Sequence, residues 1–164
     1  MKNINIIRKI TQGMYVLTTD RGGCIVDAVS QISAGENPYI TVSVGKSNYT
    51  NELLKKNNQF AISILGTKVN PEIIKTFGFH SMKDIDKFQK TQTIEIEGIK
   101  VLKESLGYMV CQITNRIDND THTLFIGRII EADVFEESEA MSYQYYQLHK
   151  EEILNPSIEP EKPI

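Results

Sequence analysis

Apolar and polar residues alternate with a period of two in Tyr39-Ile-Thr-Val-Ser-Val and again in Phe60-Ala-Ile-Ser-Ile-Leu. That period places alternate side chains on opposite faces, so both segments read as half-buried strands. Further strands are predicted over Tyr15–Thr19 and Cys24–Ile32, with Asp20-Arg21-Gly22-Gly23 as the turn between them. Two long runs, Tyr108–Ile117 and Thr123–Phe135, flank the turn chemistry of Asp118-Asn119-Asp120 and should pair as a hairpin. A shorter pair, Thr93–Ile96 and Ile99–Leu102, turns at Gly98. Helices interrupt the strands. Residues 50–56 combine a capping start with a basic end, and Asn70-Pro71 offers an N-cap followed by proline at the first helical position. Met82–Phe88 reads as a short helical turn, and Glu139–Lys150 as a helix with Met141, Tyr145 and Leu148 on one stripe. Strands and long helices do not alternate regularly, which argues against a doubly wound parallel sheet. The pattern predicts a mainly β protein, an antiparallel barrel with a few helices packed outside.

Composition sharpens this picture. Isoleucine outnumbers leucine by 23 to 9, and β-branched side chains favour a pleated surface. Ile, Leu, Val and Phe supply 47 of the 164 residues, enough apolar mass for one core without staples. The expected organisation is one domain over residues 1–150 and an extended or loose tail over 151–164, where three of the five prolines lie. Lys plus Arg number 18 against 21 Asp plus Glu, so no basic surplus points to nucleic acid. No apolar run reaches the roughly 18 residues of a membrane span, and the first residues lack an uninterrupted signal-type core, so the expected location is cytoplasmic. Cys24 and Cys111 lie too far apart in sequence for a Cys-x-x-Cys redox or zinc motif and read as buried thiols; no metal site is expected.

Three segments carry candidate chemistry. In Val44-Gly45-Lys46-Ser47-Asn48-Tyr49-Thr50 a strand ends and polar residues enter a helix. Free amides, the Lys46 charge and the short donors Ser47, Asn48 and Thr50 would suit a phosphate monoester. Gly45-Lys46-Ser47 also matches the end of a P-loop, but Ile40 occupies the position where that motif needs another glycine, so a nucleotide-triphosphatase reading is rejected. Taken alone, the segment reads as an ordinary N-cap with a solvated lysine. The second segment, Asp27-Ala28-Val29-Ser30-Gln31-Ile32-Ser33, offers hydrogen bonds to a planar heterocycle, or simply one polar face of a half-exposed strand. In the third, Phe77-Gly78-Phe79-His80-Ser81, aromatics around a glycine leave room for a flat ligand, or mark a helix end followed by core phenylalanines.

Together and in this order, these segments resemble the flavin reductase-like FMN-binding family, the split-barrel group that includes flavoredoxins and the flavin module of high-molecular-weight rubredoxins. The resemblance also draws on Gly13-x-Tyr15-Val16, Asp86-Lys87-Phe88, His122-Thr123-Leu124-Phe125-Ile126-Gly127-Arg128-Ile129 and Tyr143-x-Tyr145-Tyr146, and covers about Ile6 to Tyr146. It implies a homodimer of split antiparallel barrels with FMN near the interface. It further implies passage of electrons from NADH or NADPH through the flavin to a free flavin or a protein acceptor, or, alternatively, an FMN-holding electron carrier without nicotinamide binding. By position, the phosphate falls to Ser47, Asn48 and Thr50 with Lys46. The isoalloxazine falls along Val29, Ser30, Gln31, Ile32 and Ser33, with Phe77, Gly78, Phe79 and Ser81 nearby, and Asp27 and Ala28 count among the cofactor-binding residues. His122 is the implied catalytic histidine; as a lone residue it reads as a strand histidine bonded to a neighbour. Hydride transfer is the cofactor's chemistry, so the chain supplies placement and electrostatics. Four departures from the family pattern stand out. Asp27 occupies a position where asparagine is common, Met82 one where glycine is common, and Thr121 one where an acid is frequent. After Tyr146 the usual Gly-Lys and Ala-Pro-Thr closing segment is missing. No rubredoxin-type cysteine pair is appended, so a protein acceptor would be a separate chain.

Overall fold

A computed structural model describes residues 1–81 and 85–156 of the chain. Seven strands form one sheet in the order β2-β1-β5-β8-β9-β4-β3, with every pairing antiparallel. These strands are β1 (Tyr15–Thr18), β2 (Gly23–Val26), β3 (Val29–Gln31), β4 (Tyr39–Gly45), β5 (Gln59–Ile64), β8 (Gly107–Asp118) and β9 (His122–Val134). The hairpin of β6 (Thr93–Ile96) and β7 (Ile99–Leu102) lies apart as a second, two-stranded sheet. It turns at Glu97 and Gly98, both at positive φ (51° and 80°), the conformation a two-residue hairpin turn demands.

The two edges of the large sheet, β2 and β3, are consecutive in the chain and separated only by Asp27 and Ala28. A two-residue link cannot span an open sheet, so the sheet must curl until its edges meet, as the split-barrel resemblance implied. The strand expected over Cys24–Ile32 is therefore two strands. Period-two patterning cannot mark this break, because the chain stays extended while it passes from one sheet edge to the other.

Inside the curl, Leu17, Val42, Phe60, Ile62, Cys111 and Phe125 are fully buried. Gly127 is needed here: a Cβ at that position would come within 2.8 Å of both the Phe60 ring and the Cys111 Cβ. Outside the curl, α2 (Pro71–Phe79) buries Ile73, Ile74 and Phe77 against Met14, Val16, Leu65 and Leu102. Asn70 caps this helix by accepting from the Glu72 amide at 3.0 Å, with Pro71 opening it as expected. The helix α1 (Tyr49–Lys55) follows β4 and is capped by Asn48.

Three further expectations change. The last helix, α3, spans Tyr143–Leu154 rather than Glu139–Lys150. Its start is set by tertiary pairing: Gly66 bridges Ala140 and Gly13 bridges Ser142, which holds residues 140–142 extended. Met141 is buried from that extended segment, while Leu148 is 72% exposed and Tyr146 is the buried residue of the helix. Four residues expected in a loose tail, 151–154, are helical; residues 157–164 lie outside the described set. Lastly, the short turn expected over Met82–Phe88 appears as a 3-10 turn at Lys87–Lys90, with residues 82–84 outside the described set. An N-terminal 3-10 turn over Ile4–Lys9, not foreseen from the pattern, buries none of its residues. No described helix is long and apolar enough to cross a membrane.

Candidate functional site

The turn after β4 is built locally. Gly45 ends the strand, Lys46 and Ser47 stand exposed, and the Asn48 side chain accepts from the Thr50 amide at 2.9 Å. Asn51 is buried and donates its side-chain amide to the Val44 carbonyl at 3.0 Å, tying the first turn of α1 back to the strand. The Lys46 amide donates to the Thr121 carbonyl at 2.9 Å. His122 pairs with Gly45 across β4 and β9, and its Nδ1 lies 2.8 Å from the Thr121 hydroxyl. Lys46, Ser47 and His122 thus share one exposed corner, where the chain leaves β4 and enters β9. Asp118 fastens this corner from below. It accepts from the Thr123 hydroxyl at 2.6 Å and from Lys55 of α1 at 3.2 Å, and these two contacts hold its carboxyl below the usual range.

The strand beside this corner is β3, in register as Val29↔Val42, Ser30↔Thr41 and Gln31↔Ile40, with the Ser43 amide donating to the Ala28 carbonyl at 3.0 Å. Asp27 and Ala28 therefore lie toward the corner. Gln31, Ile32 and Ser33 run away from it along the sheet edge, at roughly 3.3 Å per residue. Several of these polar groups already have local partners. Gln31 donates to the Ser33 carbonyl at 2.9 Å, and the Ser33 hydroxyl accepts from the Tyr39 amide at 2.8 Å.

A cavity of about 650 Å³ opens on the outer face of β2. That volume falls within the range of small-molecule sites. Of the expected site residues, Asp27, Asn48, Phe77, Gly78 and Phe79 line it. The rest of Ala28–Ser33, together with Lys46, Ser47, Thr50, Ser81 and His122, do not. Thr50 is 2% exposed, and its hydroxyl approaches the Cys24 thiol. Burial pushes that thiol up, opposed by Thr50, the Lys87 charge and Asn48. With the Gln12 side-chain amide turned nitrogen-inward, that nitrogen donates to both Asp27 carboxylate oxygens, at 3.3 and 3.1 Å.

Sequence reasoning missed much of the wall. Met14, Cys24, Ile25 and Val26 form the floor, and α3 closes one side with Tyr143, Tyr146, Gln147, Lys150, Glu151 and Leu154. Those positions recur at helical spacing, so the signal was present, offset from the stripe read through Tyr145 and Leu148. Lys87, at a spacing from Asp84 that suits a plain surface pair, is instead an interior residue. It is 2% exposed and donates to the carbonyls of Gly23 at 2.9 Å and Phe77 at 3.3 Å, clamping β2 to the end of α2 behind the cavity. Burial lowers the pKa of its amine.

Comparison with known proteins places this architecture. The chain is 32% identical over 146 residues to the high molecular weight rubredoxin of Moorella thermoacetica, a match covering 85% of this chain and 63% of the rubredoxin. It is 27% identical over 154 residues to the ferric-chelate reductase (NAD(P)H) of Archaeoglobus fulgidus, covering 90% of each. Among solved structures, the NADH:FAD oxidoreductase SgcE6 of Streptomyces globisporus superposes with a TM-score of 0.76 at 21% identity, covering 84% of this chain and 83% of that one. Flavoredoxin from Methanosarcina acetivorans superposes at 0.70 with 22% identity, covering 77% and 70%. These two likenesses establish the shared split-barrel fold. The profile of the flavin reductase like domain matches residues 7–153, nearly the whole described chain. This chain therefore belongs to the flavin reductase like domain family.

Proposed function

We propose that the protein binds FMN and passes electrons from NADH or NADPH through it to a free flavin or a separate redox protein. One observation carries this reading: Asp27, Asn48 and Phe77–Phe79, from three distant segments, line one cavity in a chain of this family. The donor chemistry suits FMN. Lys46, Ser47 and Asn48 offer a charge and short polar groups to a phosphate. The apolar surfaces of Met14, Ile74 and Phe77 suit a flat ring.

When bound, the flavin supplies the redox chemistry, accepting a hydride equivalent and releasing electrons onward. The chain's own part is placement. Asp27, held by Gln12, presents a fixed carboxylate to the cavity; it favours ring N–H groups and opposes added negative charge. Phe77 is fixed by packing and by the Lys87 clamp on its carbonyl. His122 stands at the phosphate corner with Nδ1 engaged by Thr121 and Nε2 directed over Gly45. The rubredoxin relative and the named NAD(P)H reductase support electron delivery to a protein or a small acceptor. We also assign a homodimer, with the flavin near its interface.

An FMN carrier that does not bind nicotinamide is the second reading. It is favoured by α3, which lines the cavity with Lys150, Glu151 and Leu154 in a stretch without the family's usual closing sequence. Heating the purified protein and identifying the released chromophore tests both readings: FMN is expected, and a colourless preparation that fails to take up added FMN overturns them. Anaerobic mixing with NADH and NADPH then separates them. Prompt bleaching is the reductase result, and a flavin left oxidised is the carrier result.

A further inference from the structure

We propose that Asn119 and Thr121 are positioning residues for His122, and that they hold its ring as a hydrogen-bond donor, with the proton on Nε2. This rests on the part given to His122 in the proposed function, and adds which nitrogen faces the corner and what keeps it there. His122 needs holding. It opens β9 and pairs with Gly45 on the β4 side, whereas the ladder to β8 stops short of it, at Asp118↔Thr123. Residues 118–122 are all exposed, and a ladder end in water frays. Asn119 counters this. Its side-chain oxygen accepts from the Thr121 amide at 3.1 Å and from the His122 amide at 2.8 Å. Its own amide donates to the His122 carbonyl at 2.9 Å. One residue therefore binds both backbone polar groups of the histidine. Thr121 is fixed from the other side, where its carbonyl accepts from the Lys46 amide at 2.9 Å. The hairpin tip and the turn after β4 are thus tied to each other through the two residues before the histidine ring.

The ring itself has two ends with different neighbours. Nδ1 lies 2.8 Å from the Thr121 hydroxyl oxygen. A Cβ built on Gly45 would lie 3.8 Å from Nε2, so the far end of the ring covers the glycine that ends β4. In a neutral imidazole, the bond made by one nitrogen decides which nitrogen carries the proton. A hydroxyl has a proton to give. Donated to Nδ1, it leaves the ring proton on Nε2. A carboxylate in the place of Thr121 could only accept, and would hold the ring proton on Nδ1. A donor at Nε2 agrees with the rest of the corner, where Lys46 and Ser47 stand exposed and offer a charge and a hydroxyl to an anion or a carbonyl oxygen. The ring moves no proton in this arrangement; it orients a bound group by one hydrogen bond.

Long-range proton–nitrogen correlation spectra of the full chain as purified read the two ring nitrogens directly, at about pH 8.5, above the ordinary histidine range. His122→Gln assigns the signals. A pyrrole-type shift at Nε2 and a pyridine-type shift at Nδ1 are expected, and Thr121→Asp should exchange them. That variant keeps the Asn119 bonds, so its effect on the ring is not a loss of the tip's fold. Asn119→Ala should slow reduction of bound FMN by nicotinamide about tenfold, the worth of one hydrogen bond, and leave FMN affinity unchanged. Asn119→Asp, which keeps an accepting oxygen, should restore most of the rate. His122→Gln, whose amide can still donate, should keep more of the rate than His122→Ala. A ring proton on Nδ1 in the wild type overturns the proposal, as does a tautomer indifferent to Thr121→Asp. Asn119→Asp no better than Asn119→Ala overturns it too, and so does His122→Gln no better than His122→Ala. An unchanged rate in His122→Ala overturns instead the part given to the histidine in the proposed function, which the ring spectra do not probe.

Discussion

At the scale of single residues, burial decides which groups can react. Cys111 is fully buried, and burial pushes its thiol from the usual 9.0 up to about 12. The folded chain thus holds this proton more tightly than the unfolded chain does. The stability it lends is complete below the unfolded value and is lost as pH rises toward 12. The urea midpoint should therefore fall between pH 9 and 12, and Cys111→Val should flatten that fall. Neither thiol should react with a disulfide reagent at about pH 8 until the chain unfolds. His122 is the opposite kind of residue, exposed, with its ring Nδ1 beside the hydroxyl of its neighbour Thr121. His122→Ala should leave FMN bound but slow its reduction by nicotinamide, measured by stopped-flow. An unchanged rate would return the histidine to a local structural part.

At the scale of elements, the turn between β4 and α1 joins folding to the proposed site. Asn48 caps α1 and also lines the cavity. Asn48→Ala should cost about 1 kcal/mol of stability through the lost cap and weaken FMN retention as well. A stability loss with unchanged FMN affinity would leave Asn48 a cap alone. How far this was legible in the chain follows from the physics of each element. Alternation of apolar with small polar side chains marked β4 and β5, although Ala61 and Ser63 on the outer face of β5 are themselves buried, and the turn chemistry of Asp118-Asn119-Asp120 marked the β8–β9 hairpin. Asn70-Pro71 marked the start of α2 through purely local chemistry. The break at Asp27–Ala28 and the start of α3 were invisible, because sheet closure and two bridges to distant glycines set them. The same holds for the site. Its turn and its aromatic loop could be read from short-range pattern, whereas the wall from α3 depends on where that helix is laid down.

At the scale of the whole molecule, apolar cores lie on both sides of one curled sheet, and the cavity sits where the curl closes. The closing link is only Asp27 and Ala28, and Asp27 is both tethered to Gln12 and open to the cavity. Gln12 in turn receives the Tyr143 amide on its carbonyl at 2.8 Å, so the seam, the cavity and α3 are mechanically one joint. A molecule lodged there would act as a clasp across the barrel's seam. Breathing of the two edge strands would be damped together, and amide exchange at Val26 and Val29 should slow in step when FMN is added, ahead of any change in the β8–β9 hairpin.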